Sequence, residues 1–490
     1  MTIFLSDGLM KIKVFILRLI IAYLCVSNVP AGADNILSEE KLGQALKEKI
    51  ESRLKQSIFD NVLTAVMISG INKKVFYSRN ENIPCSTASA IKIFPAAVAL
   101  ERLGPNYRFN TPIWIYGEVN NGTLTGNIYI EGHGDPLITT HDLFVAAGAL
   151  KVNGINKVLG DVIYDISFFD EDKNVYYPNA RNLYAPSCAL SVNYGSIDLE
   201  LDETVRPPVL SLVPDTAYAK LDYRIQVVRS KKPGRPEMTY SEYPWGDQYH
   251  IYGKISDWDK RYHYLYLGVS RPGLYAATLF KEACVKQGIE VTGSVKKNRV
   301  PESAKMLTTV TSGPLLESIK VLNQKSKNIV TEMVNKHLGA IFVSVPGTRE
   351  KGLSIIRQYC IDEIGLPKNE LHFQDVSGLS AKTRLSANNF VRALNFFYHR
   401  TKLKDDFLVT LNRLSHRAGK HRLDFYIKTG TLSVNGVNST VGYIMLSKKD
   451  VFSFAILANR KFRGTMTYSG TLTQPILQAI IEAFGETINR

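Results

Sequence analysis

Ser89-Ala90-Ile91-Lys92 puts a hydroxyl and an amine three positions apart. On a helix, residues i and i+3 share a face, so the two side chains can meet. A serine hydroxyl is a weak nucleophile until a neighbouring base takes its proton. A lysine can be that base once burial or a second cation has stripped its own proton. At a helix N-terminus the exposed amides and the dipole also favour developing negative charge. The four-residue pattern alone is unspecific, since Ser38 with Lys41, Ser52 with Lys55 and Ser294 with Lys297 repeat it. Those three read as surface charges. Ser89 differs in its surroundings: two predicted strands precede it, at 62–69 and 75–77. A helix is predicted from Ser89, with Ile91, Phe94, Val98 and Leu103 near one face. Gly104-Pro105 stops it.

Two further patterns complete a set. Lys428-Thr429-Gly430 lies in a run, 425–432, that reads as a strand. Strand alternation puts Lys428 and Gly430 on one face, and the glycine leaves room for another backbone. Standing alone it is a strand that happens to carry a lysine. Ser326-Lys327-Asn328 falls between predicted helices at 315–323 and 328–338, where a loop can present polar groups to a cleft. Standing alone its serine is a helix cap, and Ser191-Val192-Asn193 and Ser433-Val434-Asn435 fit the bare pattern equally well.

Taken in order, Ser-x-x-Lys, Ser-x-Asn and Lys-Thr-Gly resemble the motif set of penicillin-binding proteins and serine β-lactamases. The long interval between Ser89 and Ser326 is similar to that of the exported D-alanyl-D-alanine carboxypeptidase/endopeptidase family, the class C low-molecular-mass penicillin-binding proteins. Other stretches resemble that family too: Leu103-Gly104-Pro105-Asn106-Tyr107-Arg108-Phe109, Gly126-Asn127-Ile128-Tyr129-Ile130 with Gly134-Asp135-Pro136, Gly160-Asp161-Val162, and Asp375-Val376-Ser377-Gly378-Leu379-Ser380. The resemblance covers nearly the whole chain after its leader. Departures are Pro95 inside the nucleophile helix, where a kink is expected, Val376 in place of a glycine, and His133 in place of a small residue.

The resemblance implies an α/β (α+β) transpeptidase domain of the penicillin-binding-protein and β-lactamase type, with a large, mostly β insertion of one or two subdomains. The corresponding division is a signal peptide at 1–33, catalytic parts at 34–110 and 305–490, and the insertion at 111–304. Carried over by motif, Ser89 is the nucleophile and Lys92 its proton acceptor. Ser326 and Asn328 relay the proton and position the peptide. Lys428 and Thr429, on the strand that continues through Gly430 and Thr431, hold the terminal carboxylate. The amides of Ser89 and Thr431 form the oxyanion hole. In the family an acidic side chain of the insertion meets the free amine of the diamino acid at the third peptide position. Alignment on Tyr184-Ala185-Pro186 puts Asn182 there, a neutral acceptor, unless another carboxylate does the job. The implied reaction is serine-type D-alanyl-D-alanine carboxypeptidase with DD-endopeptidase activity, with β-lactams as inhibitors. A β-lactamase and a non-catalytic wall-binding or β-lactam-sensing module are the rival readings. The first needs fast deacylation, against which the long insertion argues, and the second needs no nucleophile.

The 490 residues suffice for two or three domains, and 45% hydrophobic with 21% charged content is that of a globular protein. The net charge of +15 suits a solvated basic surface or contact with a polyanion, including peripheral association with an anionic membrane surface. Basicity does not choose between these, and no motif for nucleic acid accompanies it. The basic run 229–235 contains Pro233 and Gly234 and reads as a solvated loop. Lys11 and Lys13, the apolar run 14–26 and Ala31-Gly32-Ala33 together form a secretory signal, so export to the periplasm with cleavage after Ala33 is expected. Cys25 follows Leu24, which argues against a lipid anchor. Four cysteines remain, Cys85, Cys188, Cys284 and Cys360, with three pairings open. Neither CxxC nor HExxH occurs, so no metal or other cofactor is expected. Composition leaves the oligomeric state undetermined.

Overall fold

Apolar residues on both faces of the strand Val62–Gly70 force a layer on each side, because a strand buried twice over needs cover above and below. In the computed structural model, which describes residues 38–171, 185–205, 207–229, 236–256, 264–418, 421–461 and 472–488, that is the arrangement. Val66 and Ile68 pack with Leu42, Leu46 and Ile50 of the helix Glu39–Leu54 and with Ile476, Ile480 and Phe484 of the helix Gln474–Ile488. Ala65 and Met67 face the opposite core, built on Phe94, Val98, Phe390 and Phe397. Six strands form the antiparallel sheet between these layers. From one edge they run Asn412–Ala418, His421–Leu432, Val437–Met445, Val451–Arg460, Val62–Gly70 and Val75–Arg79. The first and last parts of the chain thus share one sheet, with Ile68 opposite Phe454 and Gly430 opposite Ser439.

The nucleophile segment departs from its expected form. Ala88–Lys92 is a 3₁₀ turn, and the α-helix begins only at Ile93 and runs to Leu103. Pro95 is therefore the third residue of the α-helix. Its missing N–H falls among the first-turn donors that have no intrahelical partner, so no kink is required. The predicted stop is kept, with Gly104 at φ 85° closing the helix.

Between Asn110 and Thr311 the chain builds a second core of its own. Strands Asn110–Asn120 and Thr123–Glu131 pair closely, and Lys305–Thr311 joins their edge. The run predicted as one strand at 157–164 is two short ones, Lys157–Val158 and Val162–Asp165. Two further small sheets follow, one of Ser196–Asp202, Val209–Val213 and Tyr264–Gly268, the other of Ala219–Val228, Glu237–Tyr243 and Gly246–Ser256. The region is β-rich, but two helices, Thr140–Val152 and Pro272–Lys286, carry much of its core through Leu143, Leu150, Tyr275 and Phe280. Cys85, Cys188, Cys284 and Cys360 are buried single thiols. Burial pushes those of Cys85 and Cys188 up to about 11, so they remain protonated packing groups at neutral pH. Among the described residues no helix is long and apolar enough to cross a membrane.

One helix belongs to both cores. Asn328–Phe342 packs Val330, Val334 and Leu338 into the catalytic side and Met333 into the β-rich side. Its fully buried Lys336 forms an ion pair with Asp170 at 2.6 Å. His337 Nδ1 lies 3.0 Å from the carbonyl of His133, and its Nε2 lies 2.8 Å from the hydroxyl of Tyr107. The carbonyl can only accept, so Nδ1 carries the proton and the tyrosine donates to Nε2. Asp135 secures the same junction by accepting from the amide and hydroxyl of Ser312.

Burial holds His337 neutral and lowers its pKa to about 4. The unfolded chain takes up this proton below about pH 6.5, and the folded chain only near the lower value. Stability is therefore lost as pH falls between those limits, by up to about 3 kcal/mol. His337→Gln keeps a donor and an acceptor but cannot titrate. Urea unfolding of both chains between pH 7 and 4 is expected to give a shallower acid loss for the variant. Parallel curves would contradict the assignment.

Candidate active site

Lys92 is fully buried, and its amine is surrounded by oxygens. Nζ lies 2.7 Å from Ser89 Oγ, 2.6 Å from Asn328 Oδ1, 2.9 Å from the Ser377 carbonyl and 3.3 Å from Ser326 Oγ. Two of the four, the amide oxygen and the carbonyl, can only accept. They consume two N–H bonds. What is left on a neutral amine is one lone pair, and the hydroxyl of Ser89 is in reach of it. Burial and then the charge of Lys428 push the Lys92 pKa well below its ordinary value, while Asp375 and Glu332 pull the other way. The net direction favours the neutral base.

Lys428 completes the cluster from the strand His421–Leu432. Its side chain is buried, and Nζ donates to Ser326 Oγ at 3.0 Å and to the Thr429 carbonyl at 2.7 Å. Burial lowers its pKa to about 7. Ser326 Oγ thus bridges two amines. The strand alternates as expected, with Lys428, Gly430 and Leu432 buried and Thr429 and Thr431 exposed. Thr431 Oγ1 accepts from Asn438 Nδ2 at 3.2 Å. Ser326 sits at φ 55°, a left-handed turn between the helices Leu315–Gln324 and Asn328–Phe342 that aims its side chain back at the lysines.

Close approach of three backbones explains two glycines. A Cβ on Gly430 would stand 2.7 Å from the amide nitrogen of Ser89 and 2.8 Å from that of Ala90. One on Gly378, at φ 78°, would stand 2.0 Å from the Ala88 carbonyl oxygen. Ala88 itself is left-handed at φ 43°. Its turn is pinned by Ser439 Oγ donating to the Thr87 carbonyl at 2.5 Å.

Ser89, Lys92, Ser326, Asn328, Lys428, Thr429, Gly430 and Thr431 therefore meet in one place. The competing Ser52, Ser191, Ser294 and Ser433 have no part in the lysine's contacts. Asn182 lies outside the described residues, as does the leader. The sequence reading missed the role of the 375–380 loop. Asp375, fully buried, accepts from Ser377 Oγ at 3.1 Å, Leu379 N at 2.8 Å, Ser380 N at 3.0 Å and Thr383 Oγ1. This carboxylate folds the loop so that the carbonyl of Ser377 reaches both Lys92 and Ser89, the latter at 3.3 Å. The stretch was legible as a matching segment, but nothing in it marks a main-chain oxygen as the contact. Glu332 was missed as well. It is buried one helical turn beyond Asn328 and accepts from Arg349 Nε at 3.3 Å. A cavity opens beside the cluster, lined by Ser326, Asn328, Glu332, Tyr194 and Tyr266. The ammonium of Lys327 stands 4.2 Å from the Tyr266 ring centre and 5.1 Å from that of Tyr194.

Residues 46–469 match the D-Ala-D-Ala carboxypeptidase 3 (S13) family. A D-alanyl-D-alanine carboxypeptidase of Actinomadura sp. (strain R39) is 27% identical over 367 residues, 71% of this chain and 67% of that protein. The D-alanyl-D-alanine carboxypeptidase DacB of Haemophilus influenzae is 23% identical over 316 residues, 63% of this chain and 65% of its own length. The crystal structure of penicillin binding protein 4 (dacB) from Haemophilus influenzae superposes with a TM-score of 0.74 at 21% identity, covering 93% of this chain and 99% of that one. At that identity the superposition speaks for the fold, which is of the penicillin-binding-protein type. By the extent of the family match, the chain belongs to the D-Ala-D-Ala carboxypeptidase 3 (S13) family and is a serine-type peptidase.

Proposed function

We propose that the chain removes terminal D-alanine from peptidoglycan stem peptides, and cuts D-alanyl cross-links, through an acyl-enzyme on Ser89. The observation that carries this reading is the 2.7 Å contact between Ser89 Oγ and an amine whose other near neighbours include two pure acceptors. Ser89 Oγ attacks the carbonyl carbon of the penultimate D-alanine, and its proton passes to Lys92 Nζ. The oxyanion is received by the amides of Ser89 and Thr431, donors fixed before the reaction starts. The C–N bond then breaks. The departing amine takes a proton through the Ser326 hydroxyl, which touches both lysines. Water, deprotonated by Lys92, releases the shortened peptide and restores Ser89. The exposed hydroxyls of Thr429 and Thr431 and the cation of Lys428 behind them receive the terminal carboxylate. Endopeptidase action uses the same steps with a second peptide as the leaving amine.

The same attack opens a β-lactam ring. There the leaving nitrogen stays tethered and obstructs water, so the adduct persists. This is what separates the reading from a β-lactamase. Export is part of the proposal: the enzyme acts in the periplasm after cleavage behind Ala33, and N-terminal sequencing of periplasmic protein is expected to begin at Asp34.

A labelled penicillin is expected to form a long-lived adduct with the native chain and none with Ser89→Ala. The variant's thermal midpoint should be nearly unchanged, because one small hydroxyl contributes little to packing. Persistent labelling of Ser89→Ala would remove Ser89 from the mechanism, and rapid turnover by the native chain would favour a β-lactamase. The pH dependence follows from the lowered Lys92 pKa. A protonated Lys92 cannot accept, so acylation is expected to fall on the acid side of an apparent pKa well below 10.5. A rate flat from pH 5 to 10 would count against Lys92. For Asn182, stem peptides with the side-chain amine free or acetylated are expected to differ in kcat/KM by less than about tenfold, or about 1.4 kcal/mol. A larger preference would mean that a carboxylate meets the amine.

A further inference from the structure

Glu332 has no part in the reaction as written, yet its placement is unusual. It follows Asn328 by one turn of the helix Asn328–Phe342, on the same face. Asn328 is the residue whose amide oxygen touches Lys92. The residue is 7% exposed, and its Oε1 is buried without a hydrogen bond. Oε2 accepts from Nε of Arg349, at the start of the helix Arg349–Asp362. A buried carboxyl held by Arg349 and the nearby Ser377 hydroxyl is costly unless its charge is answered by more than those contacts. The neighbouring Asp375 makes the contrast. Its carboxylate takes two amides and two hydroxyls, and its work is to fold a loop.

The charged groups around Lys92 come from every element packed on it. Lys428 presents a cation from the strand. Asp375 presents an anion from the 375–380 loop. Glu332 presents a second anion from the helix, with Arg349 behind it. We propose that Glu332 is a positioning residue for acid–base catalysis, a counter-charge, tuned by Arg349, that stabilises Lys92 as an ammonium after it has taken the proton of Ser89. Without Glu332, Asp375 alone among these carboxylates would answer the charge of Lys428, and the protonated state would be opposed more strongly. Burial raises the Glu332 pKa above its ordinary value, and the Arg349 charge opposes that rise and so favours the ionised carboxylate. The inference rests on Lys92 being the base, and the experiment separates the two claims.

The measurement is the rate of acylation by a chromogenic cephalosporin against pH, for the full chain, Glu332→Gln and Arg349→Gln. Removing the anion disfavours the ammonium, so the acid limb of Glu332→Gln should move to lower pH by at least half a unit, about a threefold change on the limb. Its plateau should fall, because a less basic amine takes the proton less well. Arg349→Gln removes the charge that holds down the Glu332 pKa, so the carboxyl takes up a proton more readily and the limb should follow that of Glu332→Gln downward. A limb that stays in place in Glu332→Gln while the plateau falls would mean a structural role only and would overturn the proposal. If Glu332→Gln does not fold, Arg349→Gln decides alone: a downward shift supports the counter-charge, and an unmoved or upward limb overturns it. A native chain with no acid limb would overturn the Lys92 reading and this proposal together. A native limb with unmoved variants would overturn this proposal alone.

Discussion

The site depends on one buried amine. A lysine ammonium taken fully out of water costs several kcal/mol unless it is paired or loses its charge. The fold meets this by bringing four oxygens to Lys92 from three separate stretches, the 88–92 turn, the 326–328 turn and the 375–380 loop. Everything unusual in the local backbone follows from that convergence. Ala88 and Ser326 adopt left-handed conformations, each costing about 1–2 kcal/mol for a residue with a Cβ. Gly378 and Gly430 let two strands of backbone touch the nucleophile turn. Such strain persists only where the surroundings over-determine it, and here Asp375, Ser439 and the central sheet do so.

The same constraint explains how the β-rich region is coupled to the chemistry. The helix Asn328–Phe342 starts with a lysine-contacting side chain and places Met333, near its middle, among residues of the second core. A rotation of the helix about its axis would move Asn328 and Glu332 at one end and Met333, Lys336 and His337 along its length. The ion pair of the buried Lys336 with the partly exposed Asp170 and the paired contacts of His337 oppose that rotation. Loss of Asp170 would leave the fully buried charge of Lys336 uncompensated, which is unfavourable. The second core therefore holds the helix in register for the site without supplying a group to the reacting amine.

Much of this was legible in the sequence, and the parts that were not have a common cause. The six-stranded sheet's long apolar strands and its covering helices follow from periodicity, because they are buried on both faces or along one stripe. The strand Asn412–Ala418 was missed because it is a polar edge strand whose side chains carry no alternation. The helix Thr140–Val152 was missed because it lies in a β-rich stretch and is apolar nearly all round, so no stripe stands out. The 3₁₀ start at Ala88 is a local response to neighbours far away in sequence, and Pro95 reads as a kink only if the α-helix is started too early. At the site, side-chain motifs were readable as types at spacings. The Ser377 carbonyl was not, since every residue has one, and Glu332 was not, since its meaning comes from where Arg349 and Lys92 are brought.

Two amines sharing one hydroxyl set the final constraint. Ser326 Oγ lies 3.3 Å from Lys92 Nζ and 3.0 Å from Lys428 Nζ. Two ammonium ions at such separation repel, so a proton gained by one lowers the affinity of the other, and the pair titrates as a unit. Burial already brings Lys428 to about 7. A base that must accept a proton from Ser89 and give it up within each catalytic cycle benefits from being nearly balanced. Too strong an opposing cation would leave it unable to accept, and too strong a counter-charge would leave it permanently protonated. The carboxylates of Asp375 and Glu332 stand on the far side of the balance from Lys428. The hydroxyl between the lysines gives a path along which the proton can move without leaving the buried cluster.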